Sequence, residues 1–185
     1  MASRTRLDLE GGNRADGTKV VAWSAHQPTD QDYLNQVWEI QPSNSASQGQ
    51  NTFATAGKSR YTIANARTGT YLEAVNGVGD DGAGKDGIQI TCSKAGEDRP
   101  SYQEWKIISA PWEYMGNNGI VNVASGLLMD VEGGGTKIQM HRASGDIQAD
   151  RELFWLIEHA EYSRPGTQTA EIPSPDNSEV GENDA

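Results

Sequence analysis

Three short stretches of this chain each end in a tryptophan strand, and that recurrence limits the available folds more than any other feature. They are Gln36-Val37-Trp38-Glu39-Ile40, Gln103-Glu104-Trp105-Lys106-Ile107 and Leu153-Phe154-Trp155-Leu156-Ile157. The second and third follow matching openings, Ile63-Ala64-Asn65-Ala66-Arg67-Thr68-Gly69 and Ile120-Val121-Asn122-Val123-Ala124-Ser125-Gly126. Eight residues after each opening asparagine stands an acidic residue between apolar ones, Glu73 and Asp130. The same triplet occurs as Leu7-Asp8-Leu9, with no room before it for an opening strand. Gly17-Thr18-Lys19-Val20-Val21-Ala22-Trp23 matches Gly135-Thr136-Lys137-Ile138-Gln139-Met140-His141, and the middle segment offers Gly87-Ile88-Gln89-Ile90-Thr91-Cys92.

Each segment thus predicts short strands separated by Gly, Asn and Asp turns, an all-β pattern. No single unit can bury its own apolar face. Three around a pseudo-threefold axis can share one core, with Trp38, Trp105 and Trp155 as its anchors. The units are expected at about 1–42, 59–110 and 114–160, within one domain spanning 1–162. Residues 42–58 are expected to form a linker, residues 76–86 a loose glycine- and aspartate-rich loop, and residues 163–185 an acidic, proline-containing disordered tail.

The net charge is −11, from 26 acidic and 15 basic residues, with no basic patch to capture a phosphate backbone, so nucleic acid is not an expected partner. Cys92 is the only cysteine, which rules out an intrachain disulfide and favours a reducing compartment. Neither a secretory signal nor a membrane-spanning run is visible, so a cytoplasmic location without membrane insertion is expected. Three histidines without short metal-ligand spacing, and no activated nucleophile or phosphate loop, argue against an enzyme, a metal or a cofactor.

The repeated glutamine-any-tryptophan motif at Gln36-Val37-Trp38 and Gln103-Glu104-Trp105, with the Asn65/Gly69 and Asn122/Gly126 openings, resembles the ricin-type β-trefoil lectins, in the style of their small fungal members. The resemblance implies a β-trefoil of three four-stranded repeats, incomplete in the first, and up to one shallow sugar site per repeat. It implies galactose- or N-acetylgalactosamine-type glycans as partners. A site of this kind needs a carboxylate and an amide for paired hydroxyls, and an aromatic face for the apolar side of the ring.

Asp8, Trp23, Asn35 and Gln36 supply the full set in the first unit. Asp130, Gln139 and His141 supply part of it in the third, where Glu152 and Leu153 replace the amide pair. In the middle unit Glu73 replaces aspartate and Thr91 stands where an aromatic is wanted, leaving only Gln89, Tyr102 and Gln103 as polar remainder. One complete site implies that avidity would come from self-association, such as a homodimer. The competing expectations are a protein-binding trefoil, such as a protease inhibitor working through loops 24–33, 76–86 or 94–101, and a degenerate trefoil that binds nothing.

Overall fold

A computed structural model describes residues 5–43, 59–95, 100–109, 117–144, 154–158 and 160. The expected tail and most of the expected linker lie outside these residues. The first unit contributes β1 (Thr5–Leu9), β2 (Thr18–Ser24) and β3 (Trp38–Pro42). The second contributes β4 (Tyr61–Asn65), β5 (Tyr71–Glu73), β6 (Thr91–Ser93) and β7 (Trp105–Ser109). The third contributes β8 (Asn117–Asn122), β9 (Leu128–Val131), β10 (Ile138–His141) and β11 (Phe154–Leu156). All eleven strands join one sheet through antiparallel pairs. The all-β trefoil reading holds, and among the described residues the first unit has three strands where the others have four.

The threefold relation is visible in single hydrogen bonds. Each tryptophan indole N–H donates to the carbonyl just before its unit's acidic residue: Trp38 to Leu7 at 2.9 Å, Trp105 to Leu72 at 3.0 Å and Trp155 to Met129 at 3.0 Å. A bulky apolar ring can be buried only if its one polar atom finds a partner, and the triplet carbonyl provides it. Burial of the rings differs, however. Trp105 is fully buried, whereas Trp38 and Trp155 pack on the core but stay half-exposed.

The core is assembled from equivalent positions of the three units. Val20, Ile90 and Ile138 form one buried set, and Ala22, Cys92 and Met140 another. Cys92 is therefore a small core residue, and burial raises its thiol pKa well beyond the ordinary cysteine range. Around the axis the Val20 amide donates to Ile90 O at 3.0 Å, and the Ile90 amide to Ile138 O at 2.9 Å.

Gln89 completes this ring. Its Nε2 lies 2.9 Å from Val20 O, 3.1 Å from Ile90 O and 2.9 Å from Ile138 O, one carbonyl from each unit. Gln89 is thus an axial tie between units, not a remnant of a middle-unit pocket.

The opening asparagines join consecutive units. Asn65 Oδ1 accepts from the amides of Arg67 and Thr68, while its Nδ2 donates back to Asn35 O at 2.9 Å. Asn122 Oδ1 accepts from the amides of Ala124 and Ser125, and its Nδ2 donates to Tyr102 O at 3.0 Å. One carboxamide both closes its own turn and holds the previous unit's tryptophan strand, which explains the asparagine in the motif.

The 76–86 segment departs from the loose loop expected. Val78 bridges Gly84, the Gly79 amide donates to Ala83 O at 2.7 Å, and the Lys85 amide to Gly77 O at 2.8 Å. The folded loop is pressed against the third unit. A Cβ on Gly84 would lie 2.5 Å from Ser125 O, and the Arg142 guanidinium donates to Gly84 O at 3.2 Å. Glycine here permits close packing.

Candidate functional site

The β1–β2 hairpin builds the first unit's site. Its turn, Glu10–Gly12, places Gly11 at φ 60°, and the matching turn Glu132–Gly134 places Gly133 at φ 54°. Antiparallel register pairs Asp8 with Val21 and Arg6 with Trp23. Side chains two apart share a face, so the Asp8 carboxylate and the Trp23 indole lie on one side while Leu7 and Leu9 face the core. Trp23 is 51% exposed, which places its ring at the surface and not in the core. An open pocket beside the ring is lined by Thr5, Ala22, Ser24, Gly135 and Thr136, so the third unit's turn forms part of its wall.

Asp8 is 5% exposed and held by its neighbours. Gln36 Nε2 donates to Asp8 Oδ2 at 2.8 Å and to Ser24 O at 2.9 Å, while Gln36 Oε1 accepts from the His26 amide at 2.9 Å. His26 Nε2 lies 3.3 Å from the same Oδ2, and His26 Nδ1 lies 3.8 Å from Asp30 Oδ2. Burial raises the Asp8 pKa above its ordinary 3.8, and the contacts with Gln36 and His26 pull it partly back. Both contacts fall on one oxygen, and among the described residues no hydrogen bond engages Oδ1.

Asn35 is buried, with a separate engagement. Its Oδ1 accepts from the Arg67 guanidinium at 3.1 Å, and Arg67 also pairs with Asp32 at 3.0 Å. Gly12 makes room for this junction, because a Cβ there would sit 2.5 Å from Asn35 Oδ1. Sequence reasoning missed both His26 and Arg67. His26 lies in no motif and Arg67 stands at a variable position of the opening turn, and each acquires its role through a contact with a distant part of the chain.

In the third unit Asp130 and Gln139 are buried and His141 is half-buried. Register pairs Gln139 with Asp130 and His141 with Leu128, the same places that Val21 and Trp23 hold in the first unit. Gln139 Nε2 donates to Asp130 Oδ2 at 3.2 Å, and among the described residues Gln139 Oε1 is buried without a partner. Thus Gln139 does for Asp130 what Gln36 does for Asp8, from the neighbouring strand. The replacement residues Glu152 and Leu153 lie outside the described residues.

The middle unit corrects the expected alignment. Register pairs Glu73 with Thr91 and Tyr71 with Ser93, so Ser93 stands at the place of Trp23 and Thr91 at that of Val21. Glu73 accepts from Thr91 Oγ1 at 3.1 Å, from Ser93 Oγ at 2.5 Å and from Gln103 Nε2 at 3.0 Å. The longer glutamate arm reaches two hydroxyls of its own hairpin, which both donate to Oε1, while Gln103 takes Oε2, so both carboxylate oxygens are engaged. Among the described residues, no group of three or more His, Cys, Asp or Glu side chains is arranged to hold a metal ion. No described helix is long and apolar enough to cross a membrane.

The family described as "Ricin-type beta-trefoil lectin domain-like" matches residues 34–141. No curated protein matches the chain. Among solved structures, the designed threefold-symmetric protein ThreeFoil is similar at 18% identity and a TM-score of 0.61, over 85% of this chain and 93% of that one. The Rhizoctonia solani agglutinin is similar at 17% identity and a TM-score of 0.57, over 85% and 89%. A cytolethal distending toxin chain from Actinobacillus actinomycetemcomitans is similar at 14% identity and a TM-score of 0.57, over 91% and 93%. At these identities the likeness concerns the fold.

Proposed function

The chain belongs to the ricin-type β-trefoil lectin-domain-like family, and from that premise we propose that it is a non-catalytic lectin for galactose- or N-acetylgalactosamine-type glycans. The observation that carries this reading is the pairing of a clamped Asp8 carboxylate with a half-exposed Trp23 on one hairpin face. A sugar ring placed on the indole covers its apolar C–H patch and brings hydroxyls to Asp8 Oδ1, away from the oxygen that Gln36 occupies. Gln36 and Asn35 position the site, Gln36 through Asp8 and Asn35 through the Arg67 junction.

Asp130, Gln139 and His141 form a second, weaker site, with imidazole in place of indole. The middle unit is closed because its carboxylate is already satisfied. With one strong site per chain, avidity comes from a homodimer.

Titration calorimetry with galactose and N-acetylgalactosamine tests the reading. Trp23→Ala is expected to weaken binding about tenfold or more, the loss of roughly 1.4 kcal/mol of ring contact, while an exposed position leaves the fold intact. A folded protein that binds neither sugar, or binds equally well without Trp23, defeats it.

Binding should also depend on acid. The hydroxyl contacts need ionised Asp8, whose folded-state pKa is raised above 3.8. Affinity therefore falls as pH drops, beginning above the ordinary aspartate range. For folding the sign is opposite. The folded chain holds this proton more tightly than the unfolded one, so Asp8 lowers stability as pH rises through that window. Asp8→Asn should flatten the acid limb of binding, abolish most affinity at neutral pH, and leave stability unchanged or improved. A matching acid limb in Asp8→Asn would assign the titration elsewhere.

A further inference from the structure

We propose that the outer face of the sheet, where the first two units join, holds a further carbohydrate site, sized for a single pyranose ring. The register of β3, β4 and β5 builds it. Ile40 and Ile63 stand opposite each other and turn toward the core. Strand alternation therefore sends Glu39 and Gln41 of β3, with Ala64 and Thr62 opposite them on β4, to the outside. Tyr71 of β5 stands opposite Ala64 on its other side. These five residues and Gly69 line a recess of about 80 Å³, room for roughly six waters.

The recess is not a by-product of the fold, as the next junction shows. Between the second and third units Lys106, Ile108, Gly119, Val121 and Leu128 hold the corresponding places. A Cβ on Gly119 would lie 2.9 Å from both Ile108 Cγ1 and Leu128 Cδ2, so apolar side chains meet across that place. At the first junction glutamine stands for that isoleucine, threonine for the glycine and tyrosine for the leucine. An apolar plug is thus exchanged for hydrogen-bonding groups around an aromatic ring, and the space stays open.

These groups suit hydroxyls. Gln41 Nε2 donates to Glu39 Oε2 at 3.4 Å, which sets an amide and a carboxylate side by side for neighbouring hydroxyls, as Gln36 and Asp8 are set in the first unit. Thr62 is 2% exposed, its Oγ1 still reaches the recess, and no hydrogen bond engages that atom among the described residues. A nearly buried hydroxyl of this kind gains from a polar ligand that enters. Tyr71 is half-buried and offers ring surface to the apolar side of a sugar. The Glu39 carboxylate repels anions, and among the described residues no group of acidic side chains gathers around it to hold a metal ion. A neutral, polyhydroxylated ring is the ligand class that uses every one of these groups.

The test titrates galactose, glucose, mannose and N-acetylglucosamine into the full chain carrying Trp23→Ala, read by amide NMR shifts. Expected are saturable shifts at Thr62, Ala64 and Gly69 with at least one of these sugars. Thr62→Val keeps the strand and removes the hydroxyl, and should weaken that binding about tenfold. Gln41→Ile, which installs the residue type of the next junction, should weaken it as well. With Trp23 intact, both variants should leave sugar-induced shifts at the Asp8 hairpin unchanged. The recess is separate from the Asp8–Trp23 face, so each reading is judged by its own amides. Shifts confined to the Asp8 hairpin of the parent chain would sustain the lectin reading and overturn this site. The site is also overturned if calcium chloride produces the Thr62 and Gly69 shifts and no sugar does, or if Thr62→Val binds sugar as well as its parent.

Discussion

Trp105→Ala should cost about 3–5 kcal/mol of folding stability, read as a shift of the denaturant midpoint at unchanged slope. Trp105 has no exposed surface, and its indole N–H is the hydrogen bond of Leu72 O. Removing the ring leaves a cavity where the strands of two units meet and strands a buried carbonyl, and the two penalties add. Against a total stability of about 5–15 kcal/mol, such a loss leaves a large unfolded fraction at modest temperature. Trp38→Ala and Trp155→Ala remove half-exposed rings and should cost distinctly less, about half as much, although all three indoles make the same bond. Equal losses at the three sites would mean that the shared hydrogen bond, and not the difference in burial, sets the tryptophans' contribution.

That ranking was not legible in the sequence, although the three tryptophans were. The recurring motifs revealed unit boundaries because each motif residue has a local task repeated in every unit. Asn65 and Asn122 close turns three residues on, and glycines hold the hairpin turns. Core positions follow the same logic, so Cys92 falls into line with Ala22 and Met140.

What the sequence hid depends on contacts across units. Gln89 looks like a stray polar residue until three strands bring their carbonyls to it. Arg67 belongs to an opening turn, yet its guanidinium fixes Asp32 and Asn35 of the previous unit. His26 sits in a loop with no motif and reaches Asp8 because Gln36 anchors its backbone. The reading of Thr91 as the aromatic position failed by two residues. Counting from Gly17, Gly87 and Gly135 to Trp23 gives Ser93 and His141, and the Glu73–Thr91 pairing fixes that register.

Gln36→Leu should cost at least tenfold in sugar affinity, and the third unit suggests how to recover part of it. Leucine at position 36 leaves three groups without the partner they now have: Asp8 Oδ2, Ser24 O and the His26 amide. Asp8, left with His26 Nε2 at 3.3 Å as its one contact on that oxygen, is oriented less firmly for its hydroxyl contacts, and the orphaned Ser24 carbonyl and His26 amide cost about 1–3 kcal/mol of stability. The third unit already carries leucine at this place, Leu153, and there Gln139 holds the carboxylate from the opposite strand. Val21 stands opposite Asp8 as Gln139 stands opposite Asp130. The double variant Gln36→Leu with Val21→Gln should therefore regain much of the lost affinity. It should regain less of the lost stability, because Ser24 O and the His26 amide still lack a partner. Calorimetric titration of the two variants beside the parent separates these effects. If Val21→Gln restores nothing, the carboxylate clamp is not the function shared by Gln36 and Gln139, and the third-unit pair is structural packing alone.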